Sequence, residues 1–115
     1  MFRFVVAPPH IIAKSPTQVF VFQGDEVYLT VDSERGFVTT WTFEAQVIAD
    51  VPDDPEMAFL RALQNNTVSE TLVITSVEWR HFGIYAVETE KDGCKKTVTF
   101  HLQQGIHLLP RTEIL

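Results

Sequence analysis

Apolar and polar residues alternate with a period of two along most of this chain. Val19, Val21 and Gln23 alternate with Phe20 and Phe22, and Val27, Leu29 and Val31 with Tyr28, Thr30 and Asp32. Leu72 and Ile74 alternate with Thr71, Val73 and Thr75, and Tyr85 and Val87 with Ala86 and Glu88. Val98, Phe100 and Leu102 alternate with Thr97, Thr99 and His101. Such a period sends one set of side chains to a core and the other to water, as in half-buried strands. The β-branched and aromatic residues of these runs suit a pleated surface.

The punctuation between the runs fits short strands. Pro8-Pro9 and Pro16 break the entry, Gly24-Asp25 and Ser33-Glu34-Arg35-Gly36 predict turns, and so does Gln64-Asn65-Asn66. Lys91-Asp92-Gly93 predicts a hairpin turn in which glycine supplies a positive φ. Residues 50–55 (DVPDDP) cannot form a regular helix or central strand, because their two prolines lack N–H donors. Residues 56–64 (EMAFLRALQ) carry helix-favouring residues at i, i+3/i+4 spacing, but a strand there fits the surrounding pattern better. Short strands at regular turn spacing predict an all-β sandwich or barrel.

Composition narrows the function classes. At 115 residues and 45% apolar, the chain is one domain with enough material for a core. The net charge of −6, with no basic cluster larger than Lys95-Lys96, argues against nucleic-acid binding. Cys94 is the only cysteine, which excludes an intrachain disulfide and a thiolate-rich zinc site. No apolar run approaches the ~20 residues of a spanning helix. The stretch FRFVVAPP is too short and proline-rich for a signal peptide, which says little about compartment.

From Pro8 onward the chain resembles the immunoglobulin superfamily. PPHIIAKSPTQVFVFQGDEVYLTV is similar to the A–A′–B opening of I-set domains, TTWTF to the strand-C tryptophan segment, and LVITSVEWRHFGIYAV to the E–F segment. The resemblance implies an antiparallel β-sandwich of seven to nine strands with Greek-key connections, over residues 8–103. Tails or linkers would occupy residues 1–7 and 104–115. Its core signature would be Val31, Trp41, Leu72, Gly83, Tyr85 and Val87. Val31 and Val87 stand where the family has its cysteine pair, so the inter-sheet disulfide is replaced by apolar contact. Tyr85 would take the tyrosine-corner role, its hydroxyl bonding backbone near the E–F turn. Two features depart from the pattern. The family's E–F aspartate, a partner for a base such as Arg61, is His81 here, read as a surface histidine on a turn. The stretch from Trp41 to Tyr85 is also longer than in a typical I-set domain and shorter than in many V-set domains, which predicts a strand C′ or an extended C′–D loop.

No catalytic constellation emerges, and neither a cofactor nor a metal is expected. There is no glycine-rich phosphate loop and no nucleophile elbow. His10, His81, His101 and His107 lack metal-ligand spacing, and Asp50, Asp53, Asp54 and Glu56 lack that of a calcium loop. Asn65-Asn66-Thr67 is an N-glycosylation sequon, meaningful only if the chain is secreted.

A partner protein is therefore expected, another Ig-like domain or a self-copy among the choices. The face implied by the resemblance comprises Thr40, Thr42, Glu44, Glu88, Glu90, Lys96, Thr97, Thr99 and His101, with Lys95 and Ala86 beside them. Trp79, on the E–F turn, either packs beneath it or stands exposed as a hot spot. The Pro-pair entry and TEKDGCKKTVTFHL resemble sarcomeric modules of the titin, myomesin and myosin-binding-protein-C kind. That resemblance implies scaffolding in a reducing, cytoskeletal setting. WTFEAQVIADV and the sequon resemble instead the V-type domains of SLAM-related surface receptors. A viral mimic of such a receptor is a variant of that second reading.

Overall fold

The computed structural model describes residues 10–105, and nine strands lie among them. They are β1 (Ile11–Ala13), β2 (Gln18–Val21), β3 (Val27–Glu34), β4 (Val38–Phe43), β5 (Gln46–Val47), β6 (Met57–Gln64), β7 (Thr67–Ile74), β8 (Gly83–Lys91) and β9 (Cys94–Gln104). A four-stranded sheet has the order β1-β3-β7-β6, and a five-stranded sheet the order β2-β9-β8-β4-β5. All neighbours are antiparallel except β2 and β9, which run parallel. Sequence neighbours thus cross between sheets, the Greek-key consequence of closing two sheets over one core. Residues 56–64 form a strand despite their helical spacing: β6 matches β7 residue for residue, and that pairing outweighs local propensity.

The inward set of the alternation fills the space between the sheets. Val27, Leu29, Val31, Leu72, Ile74, Tyr85, Val87, Phe100 and Leu102 are all buried there. Each large aliphatic contributes ~1.5–3 kcal/mol by leaving water. Trp41 is buried at the centre, stacked on Phe100 with centroids 6.4 Å apart and tilted against Phe59 at 5.4 Å.

The turns follow backbone chemistry. Asp92 and Gly93 both adopt positive φ (51° and 81°), giving the tight β8–β9 hairpin a twist that matches its strands. The chain enters at one pole, beside the β3–β4, β6–β7 and β8–β9 turns. It leaves at the other, beside the β2–β3 and β4–β5 turns and the corner between β7 and β8. β9 runs to Gln104, one residue past the expected boundary, and the Gly105 N–H bonds Val21 O at 2.8 Å. Residues 1–9 and 106–115, which hold the rest of the expected tails, lie outside the described residues.

Candidate binding surface

Two polar brackets fix the surfaces. The first lies inside the sandwich. Glu70 follows the inward register of β7 and is buried, opposite Val31 on one side and Arg61 on the other. Its carboxylate accepts the Trp41 indole N–H at 3.0 Å and the Thr39 hydroxyl, while Arg61 Nε stands 3.6 Å away. A buried charge is stable only when paired and hydrogen-bonded, and here both oxygens are engaged. Because Glu70 belongs to one sheet and Trp41 and Thr39 to the other, the bracket spans the core. Val31 and Val87 are fully buried in that same core and supply only apolar contact.

The second bracket is the corner between β7 and β8. His81 is fully buried, which corrects its reading as a surface residue. A short 3-10 turn (Trp79–His81) folds the imidazole back on its own backbone, where Nδ1 accepts the Glu78 N–H at 2.8 Å. The proton must then sit on Nε2, which donates to Asp54 Oδ2 at 2.9 Å. Arg80 grips the same carboxylate through Nε and a second nitrogen, each at 3.0 Å, and also pairs with Glu78. The Arg80 hydrogen bond is the chief reason that the Asp54 carboxyl is held well below the usual carboxylate range. Partial burial opposes the shift, and the Glu56 N–H and His81 reinforce it. The Tyr85 hydroxyl donates to His81 O at 2.6 Å, and burial, helped by the charges of Asp54 and Glu44, pushes its pKa upward. Arg61 does not serve this corner; it pairs with Asp50 and Glu70.

Gly83 follows with φ +150°, where a Cβ would overlap the Glu44 carboxylate and the Phe43 ring. Glu44 itself sits in the β4–β5 turn rather than on β4. It folds back to accept the Ile84 N–H at 2.7 Å.

The outer face of the five-stranded sheet holds most of the residues expected there. Rows of register partners read Thr42–Ala86–Thr99, Thr40–Glu88–Thr97 and Ile84–His101 across β4, β8 and β9. Glu90 lies on the same face opposite Lys95, which pairs with Glu88 at 3.5 Å. Lys96 is a correction: it stands opposite buried Thr89, on the inner register, so Lys95 takes its place on the face. Sequence reasoning missed the apolar members. Val47, opposite Thr42, is 71% exposed, and Phe20, opposite Gln103, is 61% exposed, with half-exposed Ile84 between their rows. The signal was available in the alternation, which already set Phe20 apart from inward Val19 and Val21. Trp79 is 63% exposed, its ring T-shaped to that of Phe82 with centroids 5.7 Å apart. Asn65, with φ 56°, sits exposed in the β6–β7 turn at the entry pole.

Among the described residues no group of three metal-ligating side chains gathers, and no helix is long and apolar enough to cross a membrane. The clefts between β4–β5 and β6 hold about 250–330 Å³ each, are open to solvent, and are lined partly by the paired charges Asp50, Arg61, Asp54 and Arg80.

No family model matches the sequence, and no curated protein matches it. Solved structures do. The Dpr2 Ig1-Ig2 chain, crystallised in complex with DIP-Theta, is similar at TM-score 0.72 and 16% identity, over 85% of this chain and 32% of that one. A chimeric titin Z1Z2 carrying a decorin peptide is similar at TM-score 0.63 and 21% identity, over 85% and 95% of the two chains. A chain of the complex between titin and obscurin-like 1 gives 0.61 and 18%, over 85% and 95%. The fold is the immunoglobulin-like β-sandwich, here with a single cysteine and so without the inter-sheet disulfide.

Proposed function

We propose that this chain is a non-enzymatic protein-recognition module, a scaffolding Ig domain of a multi-domain cytoskeletal protein of the sarcomeric kind. It meets its partner through the outer face of the five-stranded sheet. The observation that carries this reading is the exposure of Val47, Phe20 and Ile84 around a threonine-rich field, with Glu88, Glu90 and Lys95 toward the entry pole. Exposed apolar side chains flanking an uncharged field, with charge gathered at one end, form the kind of surface that marks a protein interface. The cytoskeletal setting is supported by a core held without sulfur and by the titin domains among the similar folds. Calorimetric binding to candidate Ig partners tests the face. Val47→Asp should weaken binding by about tenfold or more, and Glu88→Lys should weaken it in a salt-dependent way. Unchanged affinity in both overturns the assignment.

A second reading, a ligand-binding domain of a SLAM-related surface receptor or its viral mimic, draws on the exposed sequon at Asn65. The mass of the protein isolated from its own cells separates the two. An N-glycan removed by Asn65→Gln overturns the cytoskeletal setting, and an unmodified chain supports it.

A further inference from the structure

The two poles of this sandwich differ in charge. At the pole where the chain leaves, the corner between β7 and β8 is tied to three neighbouring segments. Gly24 N–H donates to Val77 O at 2.8 Å and Val77 N–H to Asp25 O at 2.9 Å, which joins the corner to the β2–β3 turn. Thr75 N–H donates to Glu56 O at 2.8 Å and Arg80 holds Asp54, which joins it to the segment after β5. Glu44 of the β4–β5 turn reaches it through the Ile84 N–H. These ties gather Asp25, Glu26, Glu44, Asp53, Asp54, Glu56 and Glu78 at one end, with Arg80 as their only cation among the described residues. In the rest of the described chain seven acids face six bases. The bonds that Asp25, Glu44 and Glu56 accept from Phe22, Ile84 and Thr75 leave their charge in place, because those donors are neutral. The excess negative charge of the molecule therefore lies at one pole.

That pole also has an apolar cleft. Phe43, Ile48, Pro52 and Met57 form its walls and Asp53, Asp54 and Arg80 its rim; it holds about 250 Å³ and is open to solvent. The prolines of residues 50–55 keep this segment out of both sheets, so it arches from β5 to β6 and borders the space beside Phe43 and Met57. Trp79, the residue before Arg80, is exposed on the same corner. An indole face attracts a guanidinium or ammonium group.

We propose that this cleft docks a basic segment of a partner protein, one that carries a large apolar side chain flanked by arginines or lysines. The apolar side chain enters between Ile48, Pro52 and Met57. Its cationic neighbours meet Asp53 and the carboxylates around it, and one of them stacks on Trp79. Charge selects this occupant. The pole repels an acidic segment, and a second copy of this chain brings its own net charge of −6. A neutral apolar segment fills the cleft but leaves the carboxylates unmatched. The cleft shares only Val47 with the outer face of the five-stranded sheet, so either surface can fail while the other stands.

The test uses the whole chain at physiological salt and three labelled synthetic peptides, GSRRLRRSG, GSRRSRRSG and GSEELEESG. The leucine peptide should bind saturably by fluorescence anisotropy and shift the NMR amide signals of Ile48, Met57 and Arg80. The serine peptide keeps the charge and loses the anchor, and should bind at least about fivefold more weakly. The acidic peptide should not bind. Asp53→Lys should weaken the leucine peptide by about fivefold or more, and Trp79→Ala by about threefold. Glu34→Lys, the same charge change on an exposed residue of the entry pole, should weaken it by less than about twofold, because salt screens charges so far apart. If a variant fails to fold, the peptide series on the unaltered chain decides alone. Absence of saturable binding overturns the proposal, and so does equal affinity for the leucine and serine peptides. Equal losses in Asp53→Lys and Glu34→Lys, binding of the acidic peptide, or amide shifts confined to the outer face of the five-stranded sheet overturn it as well.

Discussion

Glu70 and Asp54 each gather several donors, yet one sits beneath the sheets and the other at the rim. Glu70 joins the two sheets through Trp41 and Thr39, with its side chain 5% exposed. Asp54 joins the segment after β5 to the β7–β8 corner through Arg80 and His81, and stays in reach of water. The gross interactions look alike, but the cost of losing them differs. A donor orphaned in the core cannot turn to solvent, whereas the Arg80 guanidinium at the rim can. The inner bracket should therefore govern whether the sandwich closes, and the outer one how its corner is held.

The largest break in that comparison is Glu70→Ala. It strands the Trp41 indole N–H and the Thr39 hydroxyl between the sheets, and should cost about 3–5 kcal/mol in urea unfolding. Next comes the cross-link the core lacks. Val31→Cys with Val87→Cys should form a disulfide under oxidising conditions and add ~2–4 kcal/mol, partly rescuing Glu70→Ala in a double-mutant cycle. Failure of the pair to oxidise would remove these two valines from the cysteine positions. At the corner, Tyr85→Phe loses one bond to His81 O and should cost about 1 kcal/mol by the same measurement.

Asp54→Asn should be smallest at neutral pH, under about 1 kcal/mol, because the amide oxygen still accepts from buried His81 and the exposed Arg80 turns to water. Its signature is in acid. A folded-state pKa depressed below the unfolded value of about 3.9 contributes stability that is full above that value. The contribution drains away as pH falls toward the folded value. The acid limb of the wild-type stability curve should be steeper than that of Asp54→Asn, and identical limbs would show that Arg80 does not hold the carboxylate.

The sheets were legible because alternation is a property of the strand itself. Val27, Leu29 and Val31 point inward whatever lies opposite, and the structure places them there. The same rule, carried two residues back from Leu72, reaches Glu70, so the sequence contained the sign of a buried acid. It could not show the reason, since Trp41 and Thr39 lie about thirty positions away and meet it only through pairing between sheets. His81 was misread for a related cause. A histidine in a turn looks solvated until Asp54, distant in sequence, is brought over it. Lys96 was misplaced by grouping it with its neighbour, against the parity that put Val98 and Phe100 inward. The apolar half of the outer face escaped notice because Val47 sits on a strand of two residues, too short to show a period.

The parallel ladder between β2 and β9 has one further consequence. The chain enters at one pole and departs at the other, so tension on its ends slides these two strands past each other along their axes. Their bonds then share the load together instead of opening one after another like a zipper. Once they give way, no covalent bridge shortens the released thread. The polypeptide can then run out to its whole contour, and the oxygen–nitrogen tie at Glu70 re-forms when the chain folds again.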